Sequence, residues 1–255
     1  MGVCCGNENS GNMDTLRDLP APDTTGIRDK YTVWEYGTPF KRTPFLAFKN
    51  AVNAAEENEG GEGYVTIQSL AAQLTTKAWA GLENEDSVIC KVLLSDAFKN
   101  PKNGQSDGQI DKDYLMLYGI LHCADRKIPT EKAKGLYDVL QEGGMTVHEN
   151  ISATDKDMKP AFSKLCSFVT TDIFNFSNVK VSFDEGEIES LEEGFEDALD
   201  DETIGWLEVV YGVKSTLPNA TWMEKVTKEG KWVFDATAMR ALVFKLAKVD
   251  TKHIK

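Results

Sequence analysis

Asp107-Gly108-Gln109-Ile110-Asp111 is the stretch from which the rest of the chain can be read. It sets an acid, a glycine, a variable residue, a hydrophobic residue and a polar residue in that order, just ahead of an apolar run that ends at Cys123. Glycine supplies a left-handed turn without steric cost, the hydrophobic residue suits a short strand, and the polar residue can cap a following helix. The same order recurs as Glu62-Gly63-Tyr64-Val65-Thr66 and Glu185-Gly186-Glu187-Ile188-Glu189, and more loosely as Glu229-Gly230-Lys231-Trp232-Val233. The glycines at 63, 108, 186 and 230 are separated by 45, 78 and 44 residues, and Gly143-Gly144-Met145 lies near the place of a faded copy within the longest gap. Repeats of this length suit helix-loop-helix units that stack in pairs, because one unit alone cannot bury its apolar face.

Over roughly residues 44 to 248 the repeated stretch resembles the second half of the EF-hand calcium loop. The resemblance implies an all-α fold of paired EF-hand-like helix-loop-helix units, with very short strands between loops and Val65 facing Ile110 in the first pair. The family's loop draws its ligands from positions 1, 3, 5, 7, 9 and 12. With Gly108 at position 6, the candidate calcium ligands are Asn103, Gln105, Asp107, Gln109 and Asp111, but Tyr114 stands where the bidentate carboxylate belongs. Around Gly63, Gly60 and Ser69 are poor ligands; around Gly186, Val181 and Phe183 cannot coordinate; around Gly230, Lys225 and Ala236 eliminate the site. A hard cation needs six to eight oxygens, so calcium is expected to bind weakly or not at all, and the loops to keep an architectural role.

Helices are expected from Thr43-Pro44 onward, since Thr caps and Pro is tolerated in a first turn. Phe45, Phe48, Val52 and Ala55 recur at helical spacing, Ser87–Phe98 and Asp111–Cys123 follow, and Pro129–Leu140 and Asp155–Phe174 add two more. Ile188, Leu191, Phe195 and Leu199 mark one later stripe, and Met239, Leu242, Val243 and Leu246 the last. The expected organisation is a mobile arm over 1–43, a first pair over 44–142, and a second pair with a basic tail over 143–255. Within the arm, Tyr31, Trp34, Tyr36 and Phe40 form an aromatic cluster that either binds a partner or packs on the chain's own domain.

Composition narrows the function. A net charge of -13 argues against nucleic acid as a partner, because phosphate binding needs clustered Lys and Arg. Residues 181–208 hold twelve acids and no base, whereas 214–255 hold nine bases against four acids. Met1-Gly2-Val3-Cys4-Cys5-Gly6 resembles a dual acylation signal, with Gly2 for myristate and Cys4 and Cys5 for palmitate, although Gly6 replaces the usual Ser or Thr. A second acyl chain is what makes such anchoring stable. Without a secretory signal or an apolar run of membrane-spanning length, the chain is expected in the cytosol or at the cytoplasmic face of a membrane. There is no P-loop, dinucleotide fingerprint, nucleophile elbow or paired His at metal spacing, and His122 and Cys123 diverge on a helix. These features favour a non-catalytic EF-hand-like adaptor that binds a protein segment. The alternatives are a structural protein of a cytoskeletal or ciliary assembly and an enzyme using dispersed carboxylates.

Overall fold

Two three-residue ladders organise the helices. In the first, β1 (Tyr64–Thr66) pairs antiparallel with β2 (Gln109–Asp111), and Val65 stands opposite Ile110, the partnership expected from the sequence. Gly63 and Gly108 precede their strands at φ of +78° and +84°, where a Cβ would be strained. Helix α2 (Phe45–Asn58) enters β1 and α3 (Ile67–Gln73) leaves it; α4 (Val88–Leu93) precedes β2 and α5 (Lys112–His122) leaves it. Both exit helices are capped by the last residue of the strand. Thr66 and Ser69 form a reciprocal capping box, and Asp111 Oδ1 accepts the Tyr114 N–H at 2.8 Å.

The second ladder pairs β3 (Asn150–Ser152) with β4 (Thr216–Pro218), with Ile151 opposite Leu217. β3 lies between α6 (Thr130–Leu140) and α7 (Met158–Val169), and α8 (Thr171–Ser177) follows. β4 lies between a helical run over 205–211, here α9, and α10 (Asn219–Lys228). The sequence pattern had set this pair at Gly186 and Gly230. Gly186 lies outside the described residues, and Gly230 has φ of -91° and opens a 3-10 turn over Lys231–Phe234 that feeds α11 (Ala236–Leu246).

These observations come from a computed structural model that describes residues 15–101, 105–124, 130–140, 150–152, 158–177, 205–214 and 216–246. Of the described residues 65% are helical and 6% lie in strands, which sets the class as all-α. No described helix is long and apolar enough to cross a membrane.

The hydrophobic core runs without a break across the boundary expected near residue 142. Helix α2 packs on α3, α5 and α6, α5 packs on α7, and α6 meets α10. Phe98 and Tyr118 lie 5.1 Å and 5.0 Å from the Phe168 ring, so aromatic packing crosses that boundary. Within residues 44–142 small residues let the helices close on one another: a Cβ on Gly135 would sit 2.5 Å from Phe45 Cζ, and one on Gly119 would collide with the Phe48 ring.

Residues 15–43 of the expected mobile arm pack on the rest of the chain, and from α1 onward the segment contributes to the core. Asp29 caps α1 (Lys30–Gly37) through the Tyr31 N–H, and a 3-10 turn follows over Pro39–Arg42. Upstream, Asp18 accepts from the Thr76 hydroxyl and the Ala78 N–H, and the Leu19 N–H donates to the Arg42 carbonyl. Phe40 is fully buried in a cage of Phe48, Trp79 and Tyr118, with ring centroids 5.2, 4.9 and 4.8 Å away. Burying such a ring contributes roughly 1.5–3 kcal/mol relative to leaving it in water, enough to override a segment rich in turn residues.

Candidate functional site

Helix α1 presents three faces, and each meets a different environment. At 100° per residue, Tyr31 and Glu35 share the inward face, Thr32 and Tyr36 a second, and Val33, Trp34 and Gly37 a third. The inward face ends in a buried ionic centre. Glu35 is 0% exposed, Arg240 of α11 is 1% exposed, and Arg240 Nη1 donates to Glu35 Oε1 at 2.7 Å. The other guanidinium nitrogen donates to Glu35 Oε2, Thr32 Oγ1 and Asp29 Oδ2 at 3.0–3.1 Å. Burial raises the Asp29 carboxyl, but the Arg240 charge and the Thr32 and Tyr31 bonds outweigh it and hold it below the usual range. Burial also opposes the Arg240 charge, and Glu35 and Asp29 more than restore it. His122 adjoins this centre with Nδ1 4.0 Å from Glu35 Oε1, and neither ring nitrogen has a hydrogen-bond partner. Burial first, then Lys41, Arg240 and Lys132, drive its pKa well below the ordinary value, so the ring is neutral near pH 7 and makes no ion pair with Glu35.

The third face of α1 opens on an apolar groove shared with α4. Val33, Trp34, Pro39, Val88, Ile89 and Val92 line a space of about 410 Å³. Val88 is 53% exposed and Val33 38% exposed, and the exposed run Glu83-Asn84-Glu85-Asp86 leads directly into α4. The geometry offers an aliphatic and aromatic trough whose wall continues in sequence, at Ser87, into an acidic lip over 83–86. It can hold apolar side chains, and the lip favours a cationic flank.

The first-pair loops hold themselves together. Lys112 Nζ meets Glu56 Oε2 at 2.9 Å, Glu56 Oε1 accepts the Gly63 N–H, and Glu59 accepts from the Thr66 hydroxyl. In the second loop Lys99 sits between Asp96 and Asp107 at 3.1 and 3.4 Å. Gln105 Oε1 accepts the Asn100 N–H, Gln109 Oε1 accepts the Ser106 N–H, and Asp111 is 1% exposed and spent on capping α5. Asn103 lies outside the described residues. The donor set does not fit a calcium ion: Gln105, Asp107, Gln109 and Asp111 carry two carboxylates, one beside an ammonium and one turned to a helix N-terminus. Among the described residues no group of three or more His, Cys, Asp or Glu could hold a metal.

The structure separates the residues that the sequence had grouped. Tyr31 and Phe40 are core residues and present no surface to a partner, because aromatic burial is satisfied within the chain. Trp34 lines the apolar groove, Tyr36 lines the cleft on the other side of α1, and both are half-buried. Gly2, Cys4 and Cys5 lie outside the described residues. Glu35, Arg240, Lys41 and Lys132 escaped the sequence reading, which gives Val88 and Ile89 only as apolar positions of the Ser87–Phe98 helix. A signal existed for two of them: Glu35 is the lone acid between Tyr31 and Phe40, and Arg240 occupies an i, i+3, i+4 stripe with Val243 and Phe244. Comparison of the chain with family models, with curated proteins and with solved structures finds no match in any of the three.

Proposed function

We propose that the chain is a non-catalytic, EF-hand-like binding protein whose α1–α4 groove takes the apolar side chains of a basic amphipathic protein segment. The observation that carries this reading is the groove itself, an apolar trough with Val88 half in solvent and with Ser87, on its wall, directly following the exposed 83–86 acids in the chain. Exposed valines side by side on a groove wall mark a surface that gains by being covered. The acidic lip selects the charge of what covers it, and the net charge of -13 acts in the same direction at longer range. The EF-hand-like part of the proposal is supported by the Val65–Ile110 ladder and by the left-handed glycines before each of its strands. In this reading the loops have exchanged ion ligation for lysine pairs and helix caps, so the groove is open to its partner with or without calcium.

Fluorescence of Trp34 and its neighbours, titrated with a Leu–Lys amphipathic peptide and with its Leu–Glu counterpart, tests the proposal. The basic peptide is expected to bind and the acidic one not. Val88→Asp should weaken binding by about tenfold or more, because its carboxylate would be desolvated against apolar side chains. Equal binding of the two peptides, or full binding by the folded Val88→Asp variant, overturns it.

A further inference from the structure

The second face of α1 opposes a charged cleft of about 590 Å³, bounded by the N-terminal segment, the end of α5, α6 and the start of α11. Among the described residues three cations line it: Arg28, Lys41 and Lys132. Lys132 is 5% exposed and its Nζ reaches the Phe234 carbonyl at a long 3.4 Å. Lys41 sits 5.6 Å from the Tyr36 ring centroid and has no carboxylate within ion-pair distance among the described residues.

Among the described lining residues the two acids, Asp29 and Asp235, each hold hydrogen bonds outside the cleft. Asp29 is bound by Arg240, Thr32 and the Tyr31 N–H, and Asp235 accepts the Ala238 N–H at the start of α11. Charged side chains brought together at the expense of hydration normally meet a counter-charge in the same place. Here a strongly acidic chain gathers cations around one opening, and among the described residues Lys41 has no carboxylate within ion-pair distance. Burial lowers the Lys41 pKa against the pull of Glu35 and Asp235, which is the position of an ammonium that an anion would restore.

We propose that this cleft binds the phosphate group of a small phosphorylated compound, with Lys41 and Lys132 on the phosphate and Arg28 at the mouth. Lysines act on phosphate as point charges and need no fixed fork geometry. A volume of 590 Å³ exceeds what a phosphate ion fills and lies in the range of small-molecule sites, so the phosphate is one end of a larger ligand. Thr237 and Tyr36 add a hydroxyl and a ring to the wall facing that remainder.

The full-length protein can be titrated by calorimetry with pyrophosphate, with inorganic sulfate, and with a phosphoserine tripeptide. Pyrophosphate is expected to bind more tightly than sulfate and the tripeptide, with affinity falling as salt rises. Lys41→Met should weaken it about tenfold to a hundredfold, the loss of one charge-assisted hydrogen bond. The same variant should melt no lower than the parent, because it removes an unpaired, desolvated charge. Lys99→Met, on the distant second loop, should bind as the parent does. No heat with pyrophosphate, parent-like affinity in Lys41→Met, or tighter binding of the phosphoserine tripeptide would overturn the assignment.

Discussion

Asp107–Asp111 and Glu229–Val233 read alike in sequence and fold unlike. In the first, Gly108 turns left-handed into a strand, and Ile110 finds Val65. In the second, Gly230 has an ordinary negative φ, and its role is space: a Cβ there would lie 3.0 Å from Trp206 Nε1 and from Val210 Cγ2. The Trp206 indole N–H donates to the Gly230 carbonyl at 3.2 Å, locking α9 against the turn. One glycine starts a ladder, and the other starts the approach to α11, which carries Arg240 to Glu35. An acid-glycine pair therefore does not specify a loop. What three of the four ladder strands share is a hydrophobic residue followed by a residue that ends the strand at a helix: Val65-Thr66, Ile110-Asp111 and Leu217-Pro218.

The largest expected effect comes from breaking what the second region delivers. Arg240→Met leaves the buried Glu35 without its counter-charge, and Glu35→Leu leaves Arg240 with Asp29 and Thr32. Each should cost about 3–5 kcal/mol by urea unfolding, the usual result of removing one partner of a buried pair. The double variant Glu35→Leu/Arg240→Met should recover a good part of that loss, because two uncompensated charges become apolar contacts. Single effects below about 1 kcal/mol, or strictly additive ones, would mean that α11 is held by its apolar stripe alone and that the ionic centre is incidental.

Much of the first pair was legible in the sequence, because its determinants are local. A left-handed glycine, a strand residue and a cap fall within five residues, and the apolar spacing of Phe45, Phe48, Val52 and Ala55 places α2 directly. The second ladder was not, since no acid-glycine pair stands three and two residues before Ile151 or Leu217 as Asp107-Gly108 stands before Ile110. The fate of 30–43 was hidden for a different reason. Whether Phe40 faces solvent or a cage depends on Trp79 and Tyr118, which lie tens of residues away and meet it only after α2 and α5 pack. The groove and the charged cleft were out of reach on the same grounds: each is assembled from α1 and residues far along the chain, and tertiary position leaves no linear motif.

Substitutions at the two glycines sharpen the comparison at a smaller scale. Gly108→Val should lower stability by about 1–3 kcal/mol, since a β-branched residue is strained at positive φ. Gly108→Asn should cost about 1 kcal/mol or less, because Asn tolerates the left-handed region and nothing lies within 4 Å of the new Cβ. At Gly230 the rescue should fail: Asn and Val both meet Trp206 and Val210, and each should cost about 1–3 kcal/mol from overpacking. If Asn rescues both positions equally, backbone conformation governs both and the distinction drawn between them is wrong.

The smallest effect is expected at the residue that looks most like a calcium ligand. Asp107 and Asp111 are the two carboxylates of one loop, yet Asp107 projects fully into solvent, whereas Asp111 is buried and caps α5. Lys99 is raised in pKa chiefly by its bond to Asp96, with Asp107 contributing less, so Asp107 is the minor partner of that ammonium. Asp107→Asn should therefore leave the urea midpoint where it was, while Asp111→Ala should cost about 0.5–2 kcal/mol as a lost N-cap. The same asymmetry governs ion binding. An ion drawn to Asp107 would have to displace Lys99 and take Asp111 from the helix it caps, so calcium titration should show no site tighter than about 0.1–1 mM. A micromolar site that vanishes in Asp107→Ala would show that the loop rearranges around the ion, and that Lys99 and the Asp111 cap hold only its ion-free form.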